Sequence, residues 1–168
     1  ERYADDIIVH CNSKGEGEHL LASIRERLKV FELELHPEKT KLVYCKNYRR
    51  KEEHEHNSFT FLSYSFQPRG MVVKGGKNKF MVFGAAICCK AKAFIKKRIR
   101  EVFNPRITQI PLEQVAVKLN QKISGWLNYY FRYLPKIASN VFLYLTELIK
   151  RWEEEQYRLR SGKAIARK

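Results

Sequence analysis

The sequence predicts an α+β chain, with antiparallel strands and one helix over residues 1–79 and an all-α bundle over 80–168. Three observations predict it. β-branched and aromatic runs punctuated by turn residues fill the first part, as at Ile7-Ile8-Val9, Leu42-Val43-Tyr44 and Phe59 to Phe66. Apolar residues recur at helical spacing in one segment of that part and along most of the second. Charge is divided unequally: Glu1–Lys79 holds 15 basic and 12 acidic residues, net +3, whereas Phe80–Lys168 holds 18 and 6, net +12, out of a formal +15.

The segment Arg2 to Cys11 reads as a turn followed by a strand through Ile7, Ile8 and Val9, broken by Asn12, Ser13, Gly15 and Gly17. From Glu18 to Phe31, Leu20, Leu21, Ile24, Leu28 and Phe31 form an apolar stripe, with Arg25, Glu26, Arg27 and Lys29 opposite, which predicts an amphipathic helix. Leu33-Glu34-Leu35, the Pro37 interruption and Leu42-Val43-Tyr44 predict strand, turn, strand. A charged loop runs from Lys46 to Ser58. The strand from Phe59 to Phe66 then puts Phe59, Phe61, Ser63 and Ser65 on one face and Thr60, Leu62, Tyr64 and Phe66 on the other. Pro68-Arg69-Gly70 and Lys74-Gly75-Gly76-Lys77 read as turns around a short strand at Met71-Val72-Val73.

Beyond Phe80 the pattern is helical. A helix from Ala85 to Phe103 lines up Ile87, Ala91, Phe94, Ile95, Ile99 and Val102 and crowds Lys90, Lys92, Lys96, Lys97, Arg98 and Arg100 on the remainder. Pro105 and Pro111 bracket a connector. Leu112 to Tyr133 reads as one helix, interrupted near Gly125, with Val115, Leu119, Ile123, Trp126, Leu127 and Tyr130 inward and Pro135 as its stop. A last helix, Asn140 to Leu159, turns Phe142, Leu145, Leu148, Ile149 and Trp152 inward, and a basic tail frays from Ser161.

Chemistry concentrates at Asp5 and Asp6. Side chains alternate along a strand, so neighbouring carboxylates serve one site only where the backbone turns, as at a hairpin tip. Paired carboxylates suit Mg²⁺, a hard cation that takes oxygen ligands and leaves room for substrate phosphates. That is the chemistry of two-metal phosphoryl transfer. The alternative is an ordinary turn, a position Asp favours.

The charge surplus points to a polyanionic partner, with salt-dependent nucleic-acid binding by the second half. Cys11, Cys45, Cys88 and Cys89 form no Cys-x-x-Cys pair, and His54 and His56 lie in a charged stretch and take no role. No run approaches the about 18 apolar residues of a membrane span. The expected setting is reducing and cytoplasmic, away from membranes.

The order of motifs carries a resemblance. Tyr3-Ala4-Asp5-Asp6, then Leu33 to Lys41 with Pro37-Glu38-Lys39-Thr40, then Phe61-Leu62-Ser63-Tyr64, resembles the back half of a reverse transcriptase palm, closest to bacterial group II intron reverse transcriptase/maturases. Leu119 to Tyr130, with Gly125-Trp126-Leu127-Asn128-Tyr129-Tyr130, resembles that family's maturase-specific region, the thumb and X domain. The resemblance implies a partial palm over 1–79 and a thumb/maturase bundle over 80–168. It implies Asp5 and Asp6 as catalytic Mg²⁺ ligands, Asp5 the direct one. Tyr3 would lie near the primer end or incoming nucleotide, and Lys39 near the nucleotide phosphates or as a proton donor. Phe61, Leu62, Ser63 and Tyr64 would form the primer grip, with Ser63 standing where the family has glycine. Phe59, Phe61 and Tyr64 read equally as core aromatics.

Intron RNA contact is expected from Lys90, Lys92, Lys96, Lys97, Arg98 and Arg100, and from Asn128, Tyr129 and Arg132, which turn away from the Ile123, Trp126, Tyr130 stripe. Trp126 is expected in the core. The implied partners are group II intron RNA, a DNA primer or target, deoxynucleoside triphosphates, and an N-terminal fingers and palm portion bearing a further aspartate. The chain alone is therefore expected to lack polymerase activity. The competing reading is an RNA-binding splicing cofactor without DNA synthesis.

Overall fold

The structure, a computed structural model, describes residues 1–50, 52–72, 79–102, 111–133 and 135–165. Its first element is a tight hairpin. Strands β1 (Arg2–Tyr3) and β2 (Asp6–Ile7) pair antiparallel, Arg2 opposite Ile7 and Tyr3 opposite Asp6. The Ile8 amide donates to the Glu1 carbonyl and the Glu1 ammonium to the Ile8 carbonyl, each at 2.7 Å, which extends the pairing one step. The strand expected through Val9 therefore ends at Ile7.

Helix α1 (Lys14–Lys29) begins earlier than expected. The Ser13 hydroxyl accepts the Glu16 amide at 3.2 Å, and the Glu16 carboxylate accepts the Asn12 amide at 2.7 Å. This capping-box arrangement satisfies amides that a helix start leaves open, and it outweighs Gly15 and Gly17 as breakers. Gly17 is buried, and a Cβ there would sit 2.8 Å from Leu42 Cδ2. Its bareness lets the Leu42 segment close on the helix.

The strands expected at Leu33–Leu35 and Leu42–Tyr44 do not form among the described residues. There the Leu33 amide closes the end of α1 on the Leu28 carbonyl at 3.0 Å and the Tyr44 amide donates to the His56 carbonyl at 2.8 Å, and these isolated bonds make no ladder. The turn between them does form, closed by the Thr40 amide on the His36 carbonyl at 3.0 Å.

Strands β3 (Phe59–Phe61), β4 (Tyr64–Val72) and β5 (Lys79–Ile87) make an antiparallel sheet in that order. The single strand expected from Phe59 to Phe66 is split by a two-residue turn. Leu62 and Ser63 both have positive φ, 47° and 66°, as a type I′ hairpin turn requires of its two central residues. The fold-back brings Phe59 and Phe66, expected on opposite faces, into a ring stack with centroids 4.7 Å apart.

β4 runs straight through Pro68, Arg69 and Gly70, where a turn was expected, and Arg69 Nε donates to the Gly84 carbonyl of β5 at 3.2 Å. The expected turn at Lys74–Lys77 and Val73 lie outside the described residues. β5 also displaces the expected helix start, and helical structure begins with α2 (Cys89–Val102). Cys88 Sγ accepts the Ala91 amide at 3.3 Å and so caps that start.

The chain divides into two compact units. One is Glu1–Phe61 with Phe66–Gly84; the other is Leu62–Ser65 with Ala85–Lys168. Among the described residues, every buried hydrophobic side chain falls in the second. There α2 packs with α3 (Leu112–Tyr130) and α4 (Pro135–Ile165). Ala91, Ile95 and Ile99 of α2, Val115 and Leu119 of α3, and Val141 and Leu145 of α4 form the core, with Trp126, Tyr130 and Phe142 against it. Ile99 is fully buried, and a side chain of that size contributes about 1.5–3 kcal/mol.

Phe94, expected inward, is 53 % exposed, with the Arg98 guanidinium 5.2 Å from its ring centre. It lies at the edge of the stripe. α4 starts at Pro135, a residue suited to a first helical turn because it lacks the amide that would go unpaired there. It continues to Ile165, past the expected fray at Ser161. Of the expected connector, only Pro111 lies within the described residues. No helix among the described residues is long and apolar enough to cross a membrane.

α3 is not interrupted at Gly125, and a Cβ there would meet no atom within 4 Å. Among the described residues nothing needs that glycine. Gly125→Ala should therefore raise stability by about 0.5–1 kcal/mol, read as a higher midpoint in urea with unchanged slope.

Candidate functional site

The acidic pair sits at the tip of the first hairpin. Ala4 and Asp5 make the turn, and Asp6 is the first residue of β2, opposite Tyr3. Ala4 has φ 52°, a positive value of the kind a type II′ turn takes at its first central residue and glycine usually supplies. Arg2 Nε braces the turn by donating to the Ala4 carbonyl at 3.1 Å. Asp5 and Asp6 are exposed, as is Tyr3. Among the described residues neither carboxylate enters an ion pair, and no third His, Cys, Asp or Glu gathers with them. Two unencumbered carboxylates give hard oxygen donors, and Mg²⁺ commonly binds proteins through one or two carboxylates while keeping several waters. The donor set fits the carboxylate part of such a site.

Lys39 lies in the exposed turn that follows Pro37. Its ammonium is presented to solvent without a bonded partner among the described residues. Burial pushes the Cys45 thiol above its usual range, against the smaller opposing pull of Arg50.

The cations expected to meet RNA separate into two groups. Lys90, Lys97, Arg98 and Arg100 are exposed, while Lys92 and Lys96 are half-buried at the margin of the stripe. The Lys96 ammonium lies 5.0 Å from the Tyr144 ring centre, and Arg98 pairs with Glu101 at 3.0 Å. The outward row Lys90, Lys97 and Arg100 is thus the part of α2 most open to phosphate. Asn128 and Arg132 are exposed as well, Arg132 just beyond the end of α3.

Tyr129 behaves differently from the expectation that it faces outward. It is 45 % exposed, yet its hydroxyl donates to the Leu62 carbonyl at 2.8 Å. The Tyr64 hydroxyl in turn donates to the Tyr129 carbonyl. Their rings lie 5.2 Å apart, and Tyr130 and Tyr133 pack on the Tyr64 ring at 5.6 Å and 5.2 Å. Tyr64 is only 7 % exposed. That burial fits the reading of Tyr64 as a core aromatic. Tyr133 and the bonds from Tyr64 to Tyr129 and from Tyr129 to Leu62 escaped the sequence reading, because the bonded partners are 65 and 67 residues apart. The crowding of tyrosines at 129, 130 and 133 was the available signal.

A family model described as reverse transcriptase (RNA-dependent DNA polymerase) matches residues 1–66. A second, described as group II intron, maturase-specific domain, matches residues 92–168. Neither the curated proteins nor the solved structures returned a match.

Tyr64 also sets a pH response. Burial, reinforced by Tyr129, Tyr133 and Tyr130 and opposed by Arg132, pushes its phenol up to about 12. A raised phenol favours the protonated folded state, so its contribution is complete below the unfolded value near 10. It is lost as pH climbs from there through about 12. Alkaline titration followed by circular dichroism should show destabilisation in that window, and Tyr64→Phe should flatten it.

Proposed function

From the chain's membership of the group II intron reverse transcriptase/maturase family, we propose that it works in a protein that grips intron RNA to assist splicing and copies it into DNA by Mg²⁺-dependent nucleotidyl transfer. Residues 1–79 serve the palm and 80–168 the thumb and maturase region. The observation that carries the reading is the first hairpin, whose tip offers two adjacent, exposed carboxylates within the reverse-transcriptase match.

Asp5 and Asp6 would hold magnesium, which when bound polarises a primer 3′-hydroxyl and neutralises charge on nucleotide phosphates. The protein's own groups supply the rest. Tyr3, paired across from Asp6, offers an exposed ring beside the carboxylates for the primer end or the incoming nucleotide. Lys39 brings an ammonium to a phosphate from its exposed turn. Phe61, Leu62, Ser63 and Tyr64 receive the primer at the β3–β4 turn. Lys90, Lys97 and Arg100 attract the RNA backbone, with Lys92, Lys96 and Arg98 beside them, and Asn128, Tyr129 and Arg132 adding polar and stacking contacts. The exposed Val30, Phe31 and Leu33 offer apolar surface that a fingers and palm portion of the same enzyme would cover.

A second reading, a splicing cofactor without DNA synthesis, draws on the cationic face of α2, which stands whatever the acidic pair does. One experiment separates the two. In the protein as its gene encodes it, Asp5→Ala should abolish RNA-templated DNA synthesis while leaving intron splicing intact. Equal loss of both, or unaltered synthesis, would contradict the division of roles.

The cationic face makes its own prediction. Replacing Lys90, Lys97 and Arg100 together by Ala should reduce the slope of log affinity for RNA against log salt by about 2, since each neutralised phosphate contributes about 0.7–0.9. Filter binding across a salt series reads this directly.

A further inference from the structure

The β3–β4 turn has an unfavourable backbone and unusual support. Leu62 and Ser63 both hold positive φ, and neither is glycine. Left-handed conformations at such residues persist where surrounding structure imposes them. Here both turn carbonyls are engaged. The Leu62 carbonyl accepts the Tyr129 hydroxyl at 2.8 Å, and the Ser63 carbonyl accepts the Cys88 amide at 2.9 Å. The next residue, Tyr64, donates its hydroxyl back to the Tyr129 carbonyl.

Leu62–Ser65 accordingly belongs to the same compact unit as the helices, although the reverse-transcriptase match extends over it to residue 66. The bond from Tyr129 is therefore a contact made by a residue of the maturase-specific match upon a residue of the polymerase match.

We infer that Tyr129 is a positioning residue for DNA synthesis: its hydroxyl holds the Leu62–Ser63 turn in the strained shape that receives the primer end. The inference rests on the primer-grip reading of that turn. A rigid ring delivers the hydroxyl with few rotors to order, while packing on Tyr64 and Tyr130 at 5.2 Å and 4.8 Å keeps the ring in place without it. Removing the hydroxyl alone leaves Leu-Ser free to relax toward turns of negative φ, which splay a hairpin. A glycine at position 63 would remove much of the need for the bond, because glycine adopts positive φ without a Cβ clash.

The test is steady-state incorporation on a primer annealed to an RNA template, with Mg²⁺ and deoxynucleoside triphosphates, using the protein as its gene encodes it. Tyr129→Phe should raise KM for primer-template by about three- to tenfold, the equivalent of one lost hydrogen bond, with kcat within about twofold. Adding Ser63→Gly should return KM to near the original value. Tyr133→Phe, which alters a ring packed on the same cluster, should leave KM unchanged. An active parent whose KM is indifferent to Tyr129→Phe overturns the inference, as does failure of Ser63→Gly to rescue or an equal rise with Tyr133→Phe. A parent that makes no DNA on any template overturns the polymerase reading, and this inference with it.

Discussion

The apolar stripe of Ala91, Ile95 and Ile99 along α2 is the constraint on which the helical unit depends. Its residues are buried against α3 and α4, and no charged side chain lies inside that core among the described residues. An ammonium or guanidinium taken from water without a partner would cost far more than one apolar contact returns. The many cations of α2 are therefore driven to its edges and outer side. Lys92 and Lys96 lie at the margin, where a long stem can cover apolar surface while the charge remains outside. Lys90, Lys97 and Arg100 take the outer side. A single burial requirement thus produces both a core and a cationic face, from one short helix.

The strand-rich unit is held by other means. Its described side chains include none of the buried hydrophobics, and Tyr3, Ile7, Val9, Val30, Phe31 and Leu33 are exposed. Beside the β3–β4–β5 ladder, much of what gives it form is local: paired backbone bonds between Glu1 and Ile8, the Ser13 and Glu16 capping arrangement, the Asn47 side chain accepting the Arg49 and Arg50 amides at 2.9 Å and 3.0 Å, and the Phe59–Phe66 stack. Local hydrogen bonds of this sort contribute about 0.5–1.5 kcal/mol each. Elements supported in that way, with few buried apolar contacts, belong to the part of a structure that opens most readily.

Legibility in the sequence followed the same division. The helical stripes were plain because burial imposes a 3.6-residue period, and Ile95, Ile99, Val115, Leu119 and Leu145 were all assigned inward correctly. The hairpin at Asp5 and Asp6 was legible through the alternation rule. Where local hydrogen bonding or backbone strain decides the outcome, residue pattern misled. Gly15 and Gly17 looked like breakers because the reach of Glu16 back to Asn12 depends on side-chain geometry. Pro68-Arg69-Gly70 looked like a turn, yet proline and glycine are tolerated in strands where their positions suit. Leu62-Ser63 looked like uninterrupted strand, since nothing in Leu or Ser advertises positive φ. The hint was the family's glycine at the position of Ser63, and the partners that hold the turn, Cys88 and Tyr129, lie far along the chain.

The acidic hairpin carries a further consequence of its geometry. In a straight strand Asp5 and Asp6 would point to opposite faces. The turn suspends alternation at Asp5 while Asp6 remains in the ladder, its direction set by pairing with Tyr3. The two carboxylates are therefore unequal in backbone setting: Asp6 is paired with Tyr3 in the ladder, whereas Asp5 lies in the turn, outside the paired residues. Mg²⁺ demands near-ideal octahedral geometry and sheds its waters reluctantly. A donor able to adjust is better suited to enter its coordination shell than one held rigidly a few degrees off. Under the proposed function that asymmetry would favour Asp5 as the direct ligand and Asp6 as its support, and it follows from where the turn falls, because the two side chains are chemically the same.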